Sequence, residues 1–256
     1  VSPMPDSTLR FSSRVENYIK YRPDYPQAVI ATLLEECHLT SASLVADIGS
    51  GTGLLTKLFL QRGNQVFAVE PNRAMRAASE DRLCTYPGFH SVAGRAEATT
   101  LADQSVDFVV AGQAFHWFDR PKARHEFFRI LQRAGWVMLV WNEREIRTTP
   151  FLMAYDQLLH RHATDYAQVD HKQVDEAILA DFYGPHGFKS RSFSQRQAFD
   201  YAGVLGRLLS SSYAPEAGHP NYEPMLVELS RIFQAHEVNG QVGFEYTTRM
   251  YYGQLS

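Results

Sequence analysis

The stretch Asp47-Ile48-Gly49-Ser50-Gly51-Thr52-Gly53 is the part of this chain best equipped to hold a ligand. It follows a short apolar run, Leu44 to Ile48, and precedes a helical pattern from about Leu54 to Gln61. An open α/β sheet places its ligand crevice at such a strand-to-helix junction. Glycines let the backbone approach a ligand with no Cβ in the way, and the first turn of a helix offers unpaired N–H donors. Asp47 narrows the choice of ligand, because a carboxylate at the strand end repels a pyrophosphate and attracts an ammonium group. A dinucleotide-binding Gly-x-Gly-x-x-Gly counted from Gly49 needs a glycine or alanine where Leu54 stands, and no lysine follows Gly53 as a phosphate-binding loop requires. Glu70 closes the next apolar run roughly 20 residues beyond the loop, where a carboxylate accepts hydrogen bonds from both hydroxyls of a ribose. Its other reading is a cap on the following helix.

Three further groups carry candidate chemistry. His116 follows the fourth apolar run, and its ordinary pKa lets it act as a base near neutral pH; it could equally line a pocket or serve packing alone. Around it, Phe115, Trp117 and Phe118 form either an apolar acceptor wall or a seal over the helix below. Arg22, with Tyr18 and Tyr21, stands on an N-terminal segment that could close over a ligand carboxylate, the alternative being a surface ion pair. Ser210 to Tyr213 either line an acceptor pocket or form a turn before Pro215.

These residues need elements to position them, and the apolar runs alternate with helical patterns as in βαβ units. Strands are predicted at Leu44 to Ile48, Gln65 to Glu70, Phe89 to Val92, Val106 to Gly112 and Trp136 to Trp141. Helices are predicted at Leu54 to Gln61, Asn72 to Leu83 and Lys122 to Arg133. Gly63 and Pro87-Gly88 punctuate them. Beyond Asn142 the pattern predicts helices at Pro150 to Ala163, Val174 to Phe182, Tyr201 to Leu209 and Pro224 to His236. Two late strands, Phe188 to Phe199 and Phe244 to Tyr252, flank the last two helices, and such an insertion is either a lid or ordinary packing.

Apolar residues make up 45% and charged residues 21% of the 256, as in a folded globular protein with a substantial core. The net charge of −3 argues against a protein built to grip phosphate backbones. Its clearest basic stretch, Lys189 to Arg196, reads as one solvated face of a strand. No apolar run reaches the roughly 18 residues of a membrane span, and the opening residues lack a signal-peptide pattern, so a cytoplasmic location is expected. Cys37 and Cys84 are too few for a disulfide framework or a zinc site and are expected to be small buried hydrophobes; no metal is expected.

In their order and spacing, Asp47 to Gly53, Val69-Glu70-Pro71-Asn72, Gly94-Arg95-Ala96-Glu97 and Val106-Asp107-Phe108-Val109-Val110 resemble the successive motifs of class I S-adenosylmethionine-dependent methyltransferases. The resemblance covers about Phe11 to Glu143. It comes nearest to the small-molecule branch typified by trans-aconitate methyltransferase, to which the segments Tyr18 to Pro26 and Ala114 to Phe118 are also similar. It implies a Rossmann-like, doubly wound, mostly parallel seven-stranded α/β sheet with helices on both faces and a late helical insertion. The chain is then one domain over 1–256: an N-terminal helical cap at 1–40, a cofactor-binding core at 41–145, and late strands with an insertion shaping the acceptor pocket at 146–256.

The implied cofactor is S-adenosyl-L-methionine, leaving as S-adenosyl-L-homocysteine, and the implied reaction is in-line methyl transfer to a small-molecule acceptor, with a carboxylate or hydroxyl oxygen favoured. Asp47, Gly49, Ser50, Gly51, Thr52 and Gly53 would surround the methionine portion, and Glu70 would hold the ribose. Asn72 and Met75 would flank the adenine, with Pro71 beside them in the same motif, while Ala96 and Glu97 would meet its polar edge. A more common form of that motif has an acid before the alanine, where this chain has Arg95. Gln113 would lie near the sulfonium, Tyr18 and Arg22 would close over the cofactor, His116 is the catalytic candidate, and Phe115, Trp117, Tyr21 and Tyr213 are the acceptor-pocket candidates. A monomer or homodimer is expected, with no nucleic-acid or membrane partner. Gln113 to His116 stand where adenine amino methyltransferases carry Asn/Asp-Pro-Pro-Tyr, and neither cysteine follows a proline. Two rivals share the scaffold: a nicotinamide-dependent oxidoreductase, against which Leu54 and Asp47 speak, and a non-catalytic S-adenosylmethionine-binding protein.

Overall fold

Each short apolar run of the first half becomes a strand, and in the central ones, Leu44–Ile48 and Val106–Gly112, side chains are buried on both faces, the pattern of a parallel sheet covered by helices. In the computed structural model, which describes residues 15–166 and 175–255, these are Leu44–Ile48 (β1), Gln65–Val69 (β2), Phe89–Val92 (β3), Val106–Gly112 (β4) and Leu131–Arg144 (β5). Lys189–Phe199 (β6) and Val242–Gly253 (β7) complete a seven-stranded sheet of order β3-β2-β1-β4-β5-β7-β6. Strands β1 to β5 pair in parallel, whereas β7 runs antiparallel to both β5 and β6. The chain moves outward from β1 to β3 and then returns to β4 beside β1, so the strand order reverses between them. A crevice opens at such a reversal, at the carboxyl ends of the strands.

The helices are Val15–Tyr21 (α1), Ala28–Cys37 (α2), Leu54–Leu60 (α3), Arg73–Leu83 (α4), Arg120–Ile130 (α5), Pro150–His162 (α6), Glu176–Tyr183 (α7), Tyr201–Leu209 (α8) and Tyr222–His236 (α9). Leu33 of α2, Phe59 of α3 and Leu83 of α4 pack with Val45, Val66 and Val110 in one core. Phe127 of α5 and Phe182 of α7 pack with Ile48, Val109 and Leu139 in a second. The insertion between β6 and β7 has its own core, in which Phe151 and Leu158 of α6, Leu208 of α8 and Met225 of α9 meet Phe244 of β7. That shared apolar cluster fixes the insertion to the sheet.

Most predicted elements lie within a residue or two of their expected bounds. Two differ for one readable reason: the helix expected to reach Arg133 ends at Ile130 and the strand expected over Trp136 to Trp141 spans Leu131–Arg144, because Leu131 already pairs with Val106. Ala134, at φ +65°, and Gly135 then turn the chain so that Trp136 comes opposite Phe108. Cys37 is buried as expected, but Cys84 is exposed, since it ends α4 on the solvent side. The basic stretch falls on β6 at the edge of the sheet, where Lys189 and Arg191 both pair with Glu36. Phe11, the rest of 1–14 and the predicted helix start at Val174 lie outside the described residues. Among the described residues no helix is long and apolar enough to cross a membrane.

One buried amide ties the N-terminal segment to this frame. Asn142, near the end of β5, donates through Nδ2 to the carbonyls of Pro23 and Asp24, and its Oδ1 accepts from Thr248 Oγ1 and Gln195 Nε2. Replacing Asn142 by alanine leaves these partners without their bonds, at about 1 kcal/mol each. Thermal melting of Asn142→Ala is expected to show a loss of several degrees, and an unchanged midpoint would remove the residue from this tethering role.

Candidate functional site

The glycine loop is shaped by where its backbone must go. Gly49, Gly51 and Gly53 all take positive φ (69°, 56° and 79°), which side chains disfavour. A Cβ on Gly49 would come within 2.7 Å of Ala114 Cβ, and one on Gly53 within 2.5 Å of Leu83 Cδ1. Glycine at 49 therefore lets the segment after β4 approach the loop, and glycine at 53 lets α4 do so. The N–H groups of Gly49 and Ser50 both donate to Val69 O, locking the loop onto the end of β2.

Glu70 completes the lock. Its Oε2 accepts from Gly51 N at 2.8 Å and its Oε1 from Asn72 N at 2.7 Å. The cap of α4 is Asn72, whose Oδ1 accepts from Ala74 and Met75 N, so the capping alternative for Glu70 falls away. Burial raises the Glu70 pKa, with the Asn72 and Gly51 N–H groups opposing. Behind the loop Asp47 is wholly buried, and its Oδ2 accepts from Thr56 Oγ1 at 2.6 Å. Burial pushes its pKa up to about 7, against the Thr56 hydrogen bond and with the charge of Glu70 adding to the rise.

A cavity opens beside the loop at the switch point. Gly49, Gly51, Glu70, Pro71, Asn72 and Met75 line it from the β1 and β2 side. Ala96 and Glu97, from the segment after β3, form a second wall, and Glu97 Oε1 also accepts from Asp119 N. Gln113 and Trp117 come from the segment after β4, and Tyr18 of α1 also lines the cavity. Gln113 takes a positive φ of 55°, its N–H donating to Val140 O and its Nε2 to Asn142 O.

The remaining candidates stand elsewhere. Asp47, Ser50, Thr52 and Gly53 belong to the loop and its base, away from the cavity wall. Phe115 is fully buried between Phe118, Trp141 and Phe182, so it belongs to the core under the site, because the short 3-10 turn Phe115–Trp117 points it inward. His116 packs its ring 4.8 Å from Trp117, next to a wall residue but outside the lining. Tyr21 lies over Gly206 of α8, where a Cβ would come within 1.9 Å of its ring. Arg22 and Tyr213 lie with Arg144 and Arg207 under the insertion. The sequence reading missed Arg95, Gly112 and Ala114 in the lining. Gly112 could have been suspected as a strand-end glycine, and a Cβ there would meet Tyr25 Oη at 2.4 Å.

Buried polar atoms around the loop test its fit to a cationic nucleoside ligand. Asp47 Oδ1, Ser50 Oγ and Thr52 Oγ1 are buried without a hydrogen-bond partner, and all three can accept. The two hydroxyls can donate or accept, so the discriminating member is the Asp47 carboxylate, which attracts an ammonium-bearing ligand and repels a pyrophosphate.

The raised Asp47 pKa makes a prediction about the free protein. The unfolded carboxyl ionises near its ordinary value and the folded one near 7, so the stability it confers is full at low pH and is lost as pH rises through about 7. The loss between pH 4 and pH 8 is on the order of 4 kcal/mol. Chemical denaturation across that range is expected to show this decline in the wild type and not in Asp47→Asn; parallel profiles would show that burial does not perturb the group.

Residues 46–139 match the family described as "Methyltransferase domain". An uncharacterized methyltransferase of Mycobacterium tuberculosis is 39% identical over 142 residues, 56% of this chain and 56% of that protein, so the match spans little more than half of that relative. A malonyl-[acyl-carrier protein] O-methyltransferase of Marinomonas is 29% identical over 177 residues, 66% of this chain and 65% of that protein. A solved methyltransferase-fold structure from Anaeromyxobacter dehalogenans superposes with a TM-score of 0.67 at 20% identity, covering 91% of this chain and 98% of the other. The family match, the relatives and the seven-stranded fold agree with one another and with the motif resemblance: residues 46–139 form a methyltransferase domain on a class I fold, which speaks against the nicotinamide alternative.

Proposed function

We propose that this chain binds S-adenosylmethionine in the cavity beside the glycine loop and methylates an oxygen atom of a small acceptor. The observation that carries this reading is the Glu70 carboxylate, fixed at the cavity wall by Gly51 and Asn72 N–H with lone pairs left for a ribose. In this reading the loop from Gly49 to Gly53 holds the methionine portion through Gly49 and Gly51, which line the cavity, with Asp47 supplying negative field from behind. Pro71, Asn72 and Met75 flank the adenine, Ala96 and Glu97 meet its edge, and Gln113 and Tyr18 close the sulfur end. When bound, the cofactor would supply an activated methyl group on a sulfonium, which these residues would hold facing the acceptor oxygen. The protein's task is then alignment and exclusion of water, which can supply much of the acceleration.

An oxygen acceptor accords with the O-methyltransferase name of the Marinomonas relative. A carboxylate is ionised at neutral pH and needs no base, so the aromatic pair Trp117 and Phe118 can serve as its side of the wall. His116 then supports Trp117. His116→Ala is expected to lower turnover by about tenfold or less with cofactor affinity unchanged, where loss of a general base would cost at least a hundredfold.

Titration calorimetry with S-adenosylhomocysteine tests the cofactor assignment. Glu70→Ala is expected to weaken binding by roughly tenfold to a few hundredfold, as loss of charged hydrogen bonds implies. An ammonium ligand favours ionised Asp47, so affinity should rise from pH 5.5 to pH 7.5 in the wild type and stay flat in Asp47→Asn. No association at millimolar concentration, or equal affinity in both carboxylate variants, would falsify the reading.

A further inference from the structure

Under the insertion, three arginines gather with too little negative charge to balance them. Arg207 of α8 is 5% exposed, donating through Nε to Tyr246 Oη at 3.1 Å and through Nη1 to Ser211 Oγ at 3.2 Å. Arg22 reaches the same place from the N-terminal segment, its Nη2 donating to Ser210 O at 3.0 Å and lying 3.5 Å from Ser211 Oγ. Arg144, at the end of β5, stacks 4.8 Å from the Tyr155 ring and pairs with Asp156 at 2.9 Å. Only Arg144 is matched by a carboxylate. Among the described residues, Arg22 and Arg207 meet neutral oxygens and rings alone.

A buried cation without a counter-charge costs several kcal/mol, and folds rarely retain one without a use for it. Here there are two, with unsatisfied donors beside them: Arg22 Nε, Arg144 Nη1 and the Tyr155 hydroxyl are buried and make no hydrogen bond. Burial and the neighbouring Arg207 lower the Arg22 pKa. Burial raises the Tyr213 pKa, yet Arg144, Arg207 and Arg22 together bring it below the ordinary phenol value. Even an ionised Tyr213 would balance one of the two charges.

The cluster adjoins the cavity at Tyr18 and Gln113. Tyr18 lines that cavity, and its ring lies 5.0 Å from Arg22 Cζ. Gln113, also in the lining, donates to Asn142 O, and Asn142 donates to Pro23 O, next to Arg22. Arg144 lies two residues beyond Asn142 on the same strand and so on the same face.

We propose that Arg22, Arg144 and Arg207, with the hydroxyls of Tyr155, Tyr213 and Ser211, form a subsite for an oxyanion carried by the methyl acceptor. The acceptor is then a small acid with a second anionic group, a carboxylate or a phosphate. The group held by the arginines is not the one methylated, because an oxyanion neutralised by two guanidinium forks is a poor nucleophile. The inference rests on the methyltransferase reading above, although the oxyanion site can be measured without catalysis.

The test is thermal melting of the protein saturated with S-adenosylhomocysteine. One arm adds citrate or glutarate, the other inorganic phosphate or glycerol 3-phosphate, each against chloride at matched ionic strength. One arm is expected to raise the wild-type Tm by about 5 °C at saturation, identifying the source of the oxyanion. Arg207→Met and Arg22→Met should lose that shift, yet without added oxyanion they should melt at or above the wild-type temperature, because each removes an unpaired charge. Arg207→Lys, which keeps the charge but loses the planar fork, should weaken oxyanion binding about tenfold. The proposal is overturned if neither arm exceeds chloride, or if the shift persists in both Met variants. It is also overturned if Arg207→Met instead weakens S-adenosylhomocysteine binding tenfold, which would give the cluster to the cofactor. Failure of the cofactor reading shows separately, as wild-type protein that does not bind S-adenosylhomocysteine; the two arms are then run on the free protein.

Discussion

The carboxylate of Glu70, held between the N–H groups of Gly51 and Asn72, joins the three pieces from which the site is assembled. It ties the glycine loop after β1 to the end of β2 and to the first turn of α4. The parallel register that brings Asp47 opposite Ala68 sets this up, since it carries the loop to Val69 O, while Glu70, just after β2, is held to β3 by its N–H to Val92 O. Each partner needs its own local chemistry: positive φ in the loop, an Asn72 cap that frees Glu70 from capping, and small residues where β4 and α4 press in. A carboxylate whose lone pairs are partly used by backbone donors is rigid before a ligand arrives, and that pre-organisation lowers the ordering cost of binding.

Charge is divided along the molecule in a way that suits two ligands of opposite sign. Around the glycine loop, the buried carboxylates of Asp47 and Glu70 make a field for a cation. Under the insertion, three guanidinium groups with one carboxylate between them make a field for an anion. The N-terminal segment bridges the two, because Tyr18 faces the cavity while Arg22 faces the cluster, and Asn142 fixes the turn between that segment and β5. Buried groups of this kind weaken the free protein and are held in place by the packing around them, here the apolar core shared by α6, α8, α9 and β7.

What could be read from the residues in order was the local part. Apolar runs of strand length, glycines at the turn, Pro71 and Asn72 before a helix and the two acids at strand ends all act through neighbours in sequence, so the five strands up to Asn142 and the loop with Glu70 were legible. The resemblance to a known family extended that reading to the seven-stranded sheet and to wall residues such as Met75, Ala96 and Gln113. Phe115 was harder, since the inward turn that buries it depends on Trp141 and Phe182 from distant elements. Asp47 was legible as an acid at a strand end but not as one sealed behind the loop, which only the packing of α3 and its Thr56 decides.

The sequence by itself therefore determined the element order, the glycine loop and the acid that follows the second strand, because propensity, periodicity and turn chemistry act over a few residues. The tertiary structure alone decided which side chains share a wall and which charges lack a partner. Arg22, Arg144 and Arg207 are separated by more than a hundred residues at their first gap and lie on different elements, with nothing in their flanking residues to link them. Only the fold brings their charges together, since Coulomb energy depends on distance in space and burial, neither of which is written locally in the chain.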